Sequence, residues 1–441
     1  MANLKYSTDY KLESITLYAP GFSGPLDLRP QMIELNYFED IYNNTISGYV
    51  VVSDAVGLLN FASLNGTEFI NIRFLKSDDL KISVDRNFRV FAISDRRFDS
   101  ANNNEVYKIE FCSEEYMLSE QFRVSKSYKG KTISDIVLDI TGTYLNIGKT
   151  DKSKFISVDE TLGTYDFVLP NKKPIETINW LANYAIPKKY PNGADILFFE
   201  NRIGYFFSSL QHLFSTDSAL TFYYNPKNVE GDIYSKMTNV LAFELLTQVD
   251  TLDATNKGTF ANRTISIDLL RRKKHVSDFN YNEYSKNSVS LNGSPVTNNY
   301  KNGLGKTMYD APNPDMEAGA LRYSISNFNQ QDGGDYTKDK PGTVQKDFNI
   351  EKTMSNRVAQ LTLSNYTKLK ITVPGNSAIF AGMCINFLTY GMTPLNSKEK
   401  RPLDPYLSGK YLITAVRHII SPASYICVLE ICKDSGTMNY S

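Results

Sequence analysis

The residues best suited to chemistry are sparse in this chain and are not grouped. It has three histidines, His212, His275 and His418, which lie far apart in the sequence. No HExxH pattern and no cysteine–histidine cluster at ligand spacing occurs, so neither a metalloprotease nor a zinc site is indicated. His418 alternates with apolar residues, which is more typical of a packed histidine than of a catalytic one. No nucleophile–base pair or carboxylate dyad stands out, so we predict no catalytic, cofactor-binding or metal-binding residues.

Three short stretches resemble ligand-binding motifs but each lacks a required residue. Residues 303–307 (GLGKT) resemble the end of a phosphate-binding loop, but Tyr300 stands where the first glycine is needed. Residues 21–25 (GFSGP) end in proline where the GxSxG nucleophile motif has glycine. Residues 332–335 (DGGD) lack the distal glutamate of a calcium loop. None of the three predicts a site.

The charge pattern contains one basic run, residues 271–275 (RRKKH). Such runs are most often solvated strand ends, and the alternatives are an acidic partner surface or passing nucleic acid. Lys and Arg together number 48, as do Asp and Glu, so the whole chain is not steered toward nucleic acid or an acidic membrane.

Length and composition indicate a folded chain that is rich in β-structure. With 441 residues it is too long for one ordinary core, and two to four domains are expected. It has 29 Tyr and 25 Phe but one Trp, and Tyr and Phe favour strands and wet interfaces. This composition favours a β-rich protein that assembles with others.

The four cysteines are too few for a disulfide scaffold, and none forms a CxxC pair. Cys427 and Cys432 are five residues apart, so on one strand they point to opposite faces and cannot bridge each other. Reduced, buried thiols are therefore expected. The N-terminus has no apolar signal-peptide core, and no stretch approaches 18 apolar residues, so we predict neither export nor membrane insertion.

The clearest structural element is a predicted hairpin over Leu407–Ser435, in which two alternating stretches flank Ser421–Ser424. Both faces of each strand are largely apolar, so we expect it inside a barrel or against another subunit. Upstream, Thr132 and Pro174 mark the starts of two predicted helices, and residues 195–207 predict a second hairpin. A further helix is expected with an apolar face formed by Met354, Val358 and Leu361.

The expected fold class is a β-rich α+β protein, in which two similar small β-barrel domains flank an α+β domain. The second barrel carries a loop-rich insertion. The predicted boundaries are 1–115 for the first, tube-like barrel, 116–235 for the α+β domain, 236–271 plus 350–441 for the second barrel, and 272–349 for the insertion.

Several segments resemble the central baseplate hub protein of contractile-tailed bacteriophages. They are VPGNSAIFAGMCINF (373–387), the two strands of the C-terminal hairpin, and residues 243–274, with Asp250, Gly258 and Asp268 at matching places. Residues 33–74 also resemble this family and the hub-like part of type VI secretion spike proteins. The resemblance covers almost the whole chain except about 272–349.

The resemblance implies a structural protein and not an enzyme, with no cofactor. It implies a homotrimeric ring in which the barrels alternate, joining the six-fold tail tube to the three-fold central spike. The implied partners are the spike, expected to be a separate chain, and tail tube or tube-initiator proteins. Tape measure and baseplate wedge proteins are further options, and DNA would be only passing cargo. The implied location is the virion tail baseplate, assembled in the host cytoplasm.

Two alternatives belong to other functional classes. A tail-associated cell-wall hydrolase would need a carboxylate pair or a Cys/His pair in a cleft. A receptor- or glycan-binding tail protein would use the Tyr-rich insertion at 272–349.

Overall fold

The structure of the protein is a computed structural model. The residues that it describes are 6–19, 24–59, 64–76, 83–99, 104–148, 155–193, 195–224, 236–248, 250–268, 272–292, 321–325, 344–345, 350–391 and 402–435. The motif-like stretches 303–307 and 332–335 lie outside the described residues, as do residues 21–23 and Arg271.

The first part of the chain folds into seven strands, which we call the first half. They are β1 (Lys11–Tyr18), β2 (Leu26–Asp27), β3 (Met32–Asp40), β4 (Ser47–Asp54), β5 (Phe69–Leu75), β6 (Ser83–Asp99) and β7 (Asn104–Cys112), with a short 3-10 helix at Arg29–Gln31. Alternate residues of these strands are buried, as period-two sequences predict.

A mixed middle region follows, as expected. It contains α1 (Glu114–Gln121), β8 (Ser127–Lys131), α2 (Ile133–Tyr144), β9 (Phe155–Val158), β10 (Thr164–Val168), α3 (Pro174–Ala182), β11 (Ile196–Glu200), β12 (Gly204–Ser209) and α4 (Leu210–Ser215). The two predicted helix starts are confirmed. The side chain of Thr132 caps α2 by accepting a 3.1 Å hydrogen bond from the Asp135 N–H, and α3 begins at Pro174.

The second half consists of six strands. They are β13 (Leu220–Tyr224), β14 (Ala242–Gln248), β19 (Thr367–Pro374), β20 (Cys384–Thr389), β21 (Gly409–Ser421) and β22 (Ser424–Lys433). β21 and β22 form the predicted C-terminal hairpin. β13 lies within the range predicted for the α+β domain but pairs with β20.

Between β14 and β19 the chain forms α5 (Thr251–Asn256), β15 (Ala261–Asp268), β16 (Lys273–Asn280), α6 (Tyr281–Ser285), β17 (Leu321–Ile325), β18 (Val344–Gln345) and α7 (Ile350–Ser364). The predicted helix is present as α7. Met354, Val358 and Leu361 share one face of it and are half-buried, and Leu361 packs against the common core. The fully buried positions of α7 include Ser355 and Ala359, and Ser355 donates a 2.7 Å hydrogen bond to Asn262 of β15.

The two halves share one strand order. In the first half the strands lie side by side as β1-β5-β6-β7-β4-β3, and in the second half as β13-β20-β21-β22-β19-β14. When the two-residue β2 is left out and the other strands are numbered within each half, both orders are 1-4-5-6-3-2. One pairing differs in direction, since β1 and β5 are antiparallel whereas β13 and β20 are parallel. The expected similarity of the two β-rich parts is therefore present in their topology.

A β-bulge in the fifth strand fixes the residue correspondence between the halves. The ladder from β6 to β7 skips Phe91, and the ladder from β21 to β22 skips Thr414. In both halves the next pair joins an alanine to a glutamate: Ala92 to Glu110, and Ala415 to Glu430. Following the ladders outward from the bulges makes Tyr37 of β3 equivalent to Leu245 of β14, and Cys112 equivalent to Cys432.

The halves are joined edge to edge by an antiparallel ladder between β3 and β21, which pairs residues 35–40 with 415–420. This ladder merges them into one sheet of 13 strands, and the buried side chains of both halves form one continuous core. The ring of Tyr37 lies 5.5 Å from that of His418 across the joint.

The finer prediction of two closed barrels is not confirmed, because the described ladders form this one open sheet and three separate three-stranded sheets. The expectation that both faces of the C-terminal hairpin are buried also needs correction. One face is fully buried, but Ala415, Arg417, Val428 and Glu430 on the other are only half-buried. Among the described residues, no helix has the length and apolarity needed to cross a bilayer.

We predict that aspartate is not tolerated at Leu412 but is tolerated at Val428. Leu412 is fully buried, and an unpaired buried charge costs about 3–5 kcal/mol, a large part of a typical domain's stability. Val428 is half-buried opposite Arg417, so Val428→Asp should cost about 1 kcal/mol or less. Circular dichroism and thermal melting of both variants check this. A Leu412→Asp variant that melts like the wild type contradicts the placement of this strand.

Candidate functional site

The structure keeps the three histidines apart. His212 lies on α4 and His275 on β16, whereas His418 is fully buried between β3 and β22. In the described part of the chain no group of three or more His, Cys, Asp or Glu side chains is arranged to hold a metal ion. Each histidine must therefore be judged by its own neighbours.

His418 forms a pair with Cys427 that the sequence analysis did not identify. The Cys427 Sγ lies 3.3 Å from His418 Nδ1, and the Tyr425 hydroxyl lies 2.8 Å from the same nitrogen. Burial lowers the pKa of His418 to about 3 and raises the pKa of Cys427 to about 11. Both groups are therefore neutral at pH 7. A reactive thiolate–imidazolium pair requires the opposite shifts, so this pair packs and does not react.

His212 belongs to a Ser–His–Asp cluster with the wrong connectivity for catalysis. Its Nδ1 lies 2.6 Å from Asp159 Oδ1 and 3.1 Å from the Ser208 hydroxyl. Burial alone would raise the pKa of Asp159, but hydrogen bonds from His212 and Ser209 outweigh it and lower that pKa. In a catalytic triad the serine and the aspartate contact different ring nitrogens. Here both contact Nδ1, so the cluster orients α4 against the strand end.

A carboxylate pair, Glu115 and Glu200, borders a surface groove of about 700 Å³. Both side chains are almost fully buried, and the protein's own donors hold them. Glu115 accepts a 2.9 Å hydrogen bond from the Tyr205 hydroxyl, and Glu200 accepts a 3.0 Å hydrogen bond from the Ile46 N–H and another from the Ser113 hydroxyl. These hydrogen bonds connect α1 with β12, and connect β11 with the residues directly before β4 and α1.

Two strand edges of the 13-stranded sheet lack a described partner strand. Among the described strands, none pairs with the side of β14 that faces away from β19. Likewise, none pairs with β6 beyond Arg89 on the side away from β7. By the internal correspondence, β14 is the equivalent of β3, and β6 is the equivalent of β21. Thus β3 and β21 pair with each other in the joint, whereas their equivalents, β14 and β6, have no described strand on the corresponding side.

Residues in the joint are buried, whereas the residues at equivalent positions on the two open edges are exposed, as expected if a partner strand is missing there. Tyr37 is fully buried in the joint, whereas its equivalent Leu245 is 43% exposed. Thr414 is fully buried, whereas its equivalent Phe91 is 46% exposed. In the joint the Thr414 carbonyl accepts a 2.9 Å hydrogen bond from the Ile41 N–H, which shows how such an edge is used. Exposed apolar groups beside unpaired backbone are typical of a surface that another chain covers.

Charges at the two open edges are complementary. Arg96 and Arg97 are exposed on β6, and Glu244 is exposed on β14, where it lies 3.4 Å from Lys370. In the register of the internal joint, this part of β6 would lie opposite Glu244.

Sequence reasoning missed these features for different reasons. His418 and Cys427 could have been paired by counting back from the two-residue turn between Ser421 and Ser424. No local signal joins β3 to β21, because the paired residues are far apart in the sequence. The open edges become visible only when the halves are compared.

The chain was compared with protein families, curated proteins and solved structures, and no family model matches it. It is 22% identical over 428 residues to the probable baseplate hub protein gp334 of Vibrio phage KVP40, covering 95% of this chain and 94% of that protein. The predicted resemblance to phage baseplate hub proteins is confirmed.

Solved structures share the fold of this hub-like chain. A tail protein from Neisseria meningitidis MC58 matches with a TM-score of 0.52 at 9% identity, covering 96% of this chain and 97% of that one. The 43 kDa tail protein of prophage MuSo2 from Shewanella oneidensis matches with a TM-score of 0.51 at 10% identity, covering 97% and 100%.

We predict that none of the four thiols of the native hub-like chain reacts with a disulfide reagent at pH 8. All four are buried, and burial raises the pKa of both Cys112 and Cys427 to about 11, which keeps them protonated. Denaturant should release all four. A Ser94→Cys variant, with its thiol on the open part of β6, should add one fast-reacting group. Stoichiometric labelling of the native wild type would show that the pair at His418 is accessible.

Proposed function

We propose that the chain is a structural baseplate hub protein of a phage tail, without catalytic activity. Three copies form a ring that joins the six-fold tail tube to the three-fold central spike. The observation that carries this proposal is the internal joint between β3 and β21, together with the open edges of their equivalents, β14 and β6. The relative named as a baseplate hub protein supports the same role.

The ring follows from repeating the internal joint between copies. β14 of one copy would pair with β6 of the next in the antiparallel register of β3 with β21. Since Arg417 pairs with Phe38 in that joint, the equivalent contact places Ser94 opposite Thr247. This contact would cover Leu245 and Phe91 and place Arg96 near Glu244.

The geometry of the edges favours a closed ring over a two-fold dimer. The two edges belong to different strands, so the contact is head-to-tail, and such contacts form rings when the rotation closes. Three copies contain six halves of shared strand order. Such a ring would offer six near-equivalent faces to the tube and three whole subunits to the spike.

The domain ranges 1–115, 116–235, 236–271 with 350–441, and 272–349 are retained as part of this proposal, except that β13, within 116–235, joins the second half. Each half closes into a barrel. Backbone contacts support closure of the second half, because residues 238–240 hydrogen-bond to Tyr223 of β13 and Leu241 donates to Thr372 of β19. The partners are the spike and the tube or tube-initiator proteins. The location is the virion tail baseplate, after assembly in the host cytoplasm.

The two alternative functions receive less support. A hydrolase would use Glu115 and Glu200, but their oxygens accept hydrogen bonds from the protein itself. A glycan-binding role would use exposed tyrosines of the inserted segment. Of the tyrosines described there, Tyr281 and Tyr284 are buried in a small core with α7, which leaves Tyr323 as the exposed one.

We predict that cysteines at Ser94 and Thr247 will cross-link neighbouring copies. The double variant, co-expressed with the virus's spike protein, should give covalent dimers and cyclic trimers under mild oxidation. Within one chain the two positions lie in different halves at opposite edges, so the bond must form between copies. Non-reducing electrophoresis and mass determination measure the products.

The matched control pairs Ser94→Cys with Ala242→Cys, which is also exposed on β14 but is five residues out of register. This pair and each single variant should stay largely monomeric. Equal cross-linking of both pairs would refute the register. A chain that stays monomeric with the spike present would refute the ring.

A further inference from the structure

The tip of the β11–β12 hairpin is wedged between the two halves of the sheet. The Arg202 carbonyl accepts a 2.9 Å hydrogen bond from Arg86 of the first half, and the Arg202 guanidinium lies over the Phe380 ring of the second half, 5.5 Å from its centre. The Asn201 amide donates a 2.9 Å hydrogen bond to the Ala381 carbonyl. Next to the tip, Phe199 is fully buried in the common core. The hairpin thus holds both halves.

Glu200, at the base of the tip, is the first of two buried carboxylates in this wedge. It accepts hydrogen bonds from the Ile46 N–H and the Ser113 hydroxyl. Ile46 lies directly before β4, and Ser113 lies directly after β7. The titratable and charged groups around Glu200 are Glu115 on α1, Arg86 on β6, Tyr205 on β12, Cys112 on β7 and Tyr37 on β3. Burial, and next the charge of Glu115, raise the pKa of Glu200 above its ordinary value.

Glu39, on β3, is the second buried carboxylate. It accepts a 2.9 Å hydrogen bond from the Ala381 N–H and a 3.2 Å bond from the Tyr37 hydroxyl. The Ala381 residue is therefore held at its N–H by Glu39 and at its carbonyl by Asn201. The other groups that face Glu39 are Arg202, Tyr425 and Cys427, and burial raises its pKa to about 7.

We infer that the hairpin tip with Glu39 and Glu200 is a proton-operated latch, which fastens the two halves when both carboxyl groups are protonated and loosens when they ionise. The latch joins the first half, the middle region and the second half within a single chain. It acts on contacts within one chain and does not depend on ring formation.

The direction of the pH effect follows from the raised pKa values. A carboxyl group whose pKa is raised in the closed state binds its proton more tightly there than in the open or unfolded state. Its stabilising contribution is therefore complete below its ordinary pKa, and is lost as the pH rises through the folded-state pKa near 7. His418 stays uncharged in this window because burial lowers its pKa to about 3. The latch should be tight at pH 5 and loosest at pH 8.

The test compares Glu39→Gln and Glu200→Gln with the wild type at pH 5 and pH 8. Glutamine imitates the protonated acid, so each variant should melt several degrees above the wild type at pH 8, and this advantage should shrink at pH 5. The control is Asn201→Ala, which removes a non-titrating contact of the same tip and should lower the melting temperature equally at both pH values.

A second measurement uses the wild type alone, so the test does not depend on the variants folding. Hydrogen-exchange protection factors, corrected for intrinsic rates, should fall between pH 5 and pH 8 for residues 199–204 and 379–382. Those of the buried β22 strand should change little. Unchanged protection at the tip, or glutamine variants that differ from the wild type equally at both pH values, would overturn the latch.

Discussion

The antiparallel ladder between β3 and β21 is the contact on which the rest of the structure depends. It joins strands from opposite ends of the chain and places Tyr37 against His418, so two β-rich halves share one core. The ladder runs from residues 35–40 to 415–420 without a register shift, and the burial of large aromatic groups around the joint adds apolar stabilisation. The orientation of every other edge, including those of β6 and β14, follows from this ladder.

Local features were largely predictable from the sequence. The alternation of the C-terminal hairpin, the Thr132 cap and the proline start of α3 each depend on residues within a few positions of one another. The pairing of β3 with β21 was not predictable, since strand partners distant in sequence leave no local pattern. The helix carrying Met354, Val358 and Leu361 was predictable, but the full burial of Ser355 beside them was not, because it depends on the buried polar side chains Asn262 and Thr264 of β15.

The polar groups of the interior show why side chains of reactive types that lie close together do not by themselves indicate catalysis. A Cys/His pair, a Ser–His–Asp cluster and a carboxylate pair all occur here, and neighbouring groups hydrogen-bond to each of them. Burial leaves the Cys427 thiol and the His418 imidazole uncharged, and places Glu39 and Glu200 where a change of proton occupancy would be felt by three elements at once. These groups stabilise the fold, because their hydrogen bonds connect different strands and helices.

The chain between the second and third strands differs sharply between the halves. In the first half it runs from Asp40 to Ser47. In the second half it extends from Gln248 to Thr367, and its described part carries β15 to β18 and three helices. In a ring of three copies, the short connection and the long one would alternate around the circumference. Because only one of the two halves carries the long connection, the outer surface of such a ring would have three-fold symmetry. The strands of its six halves would keep an approximate six-fold symmetry.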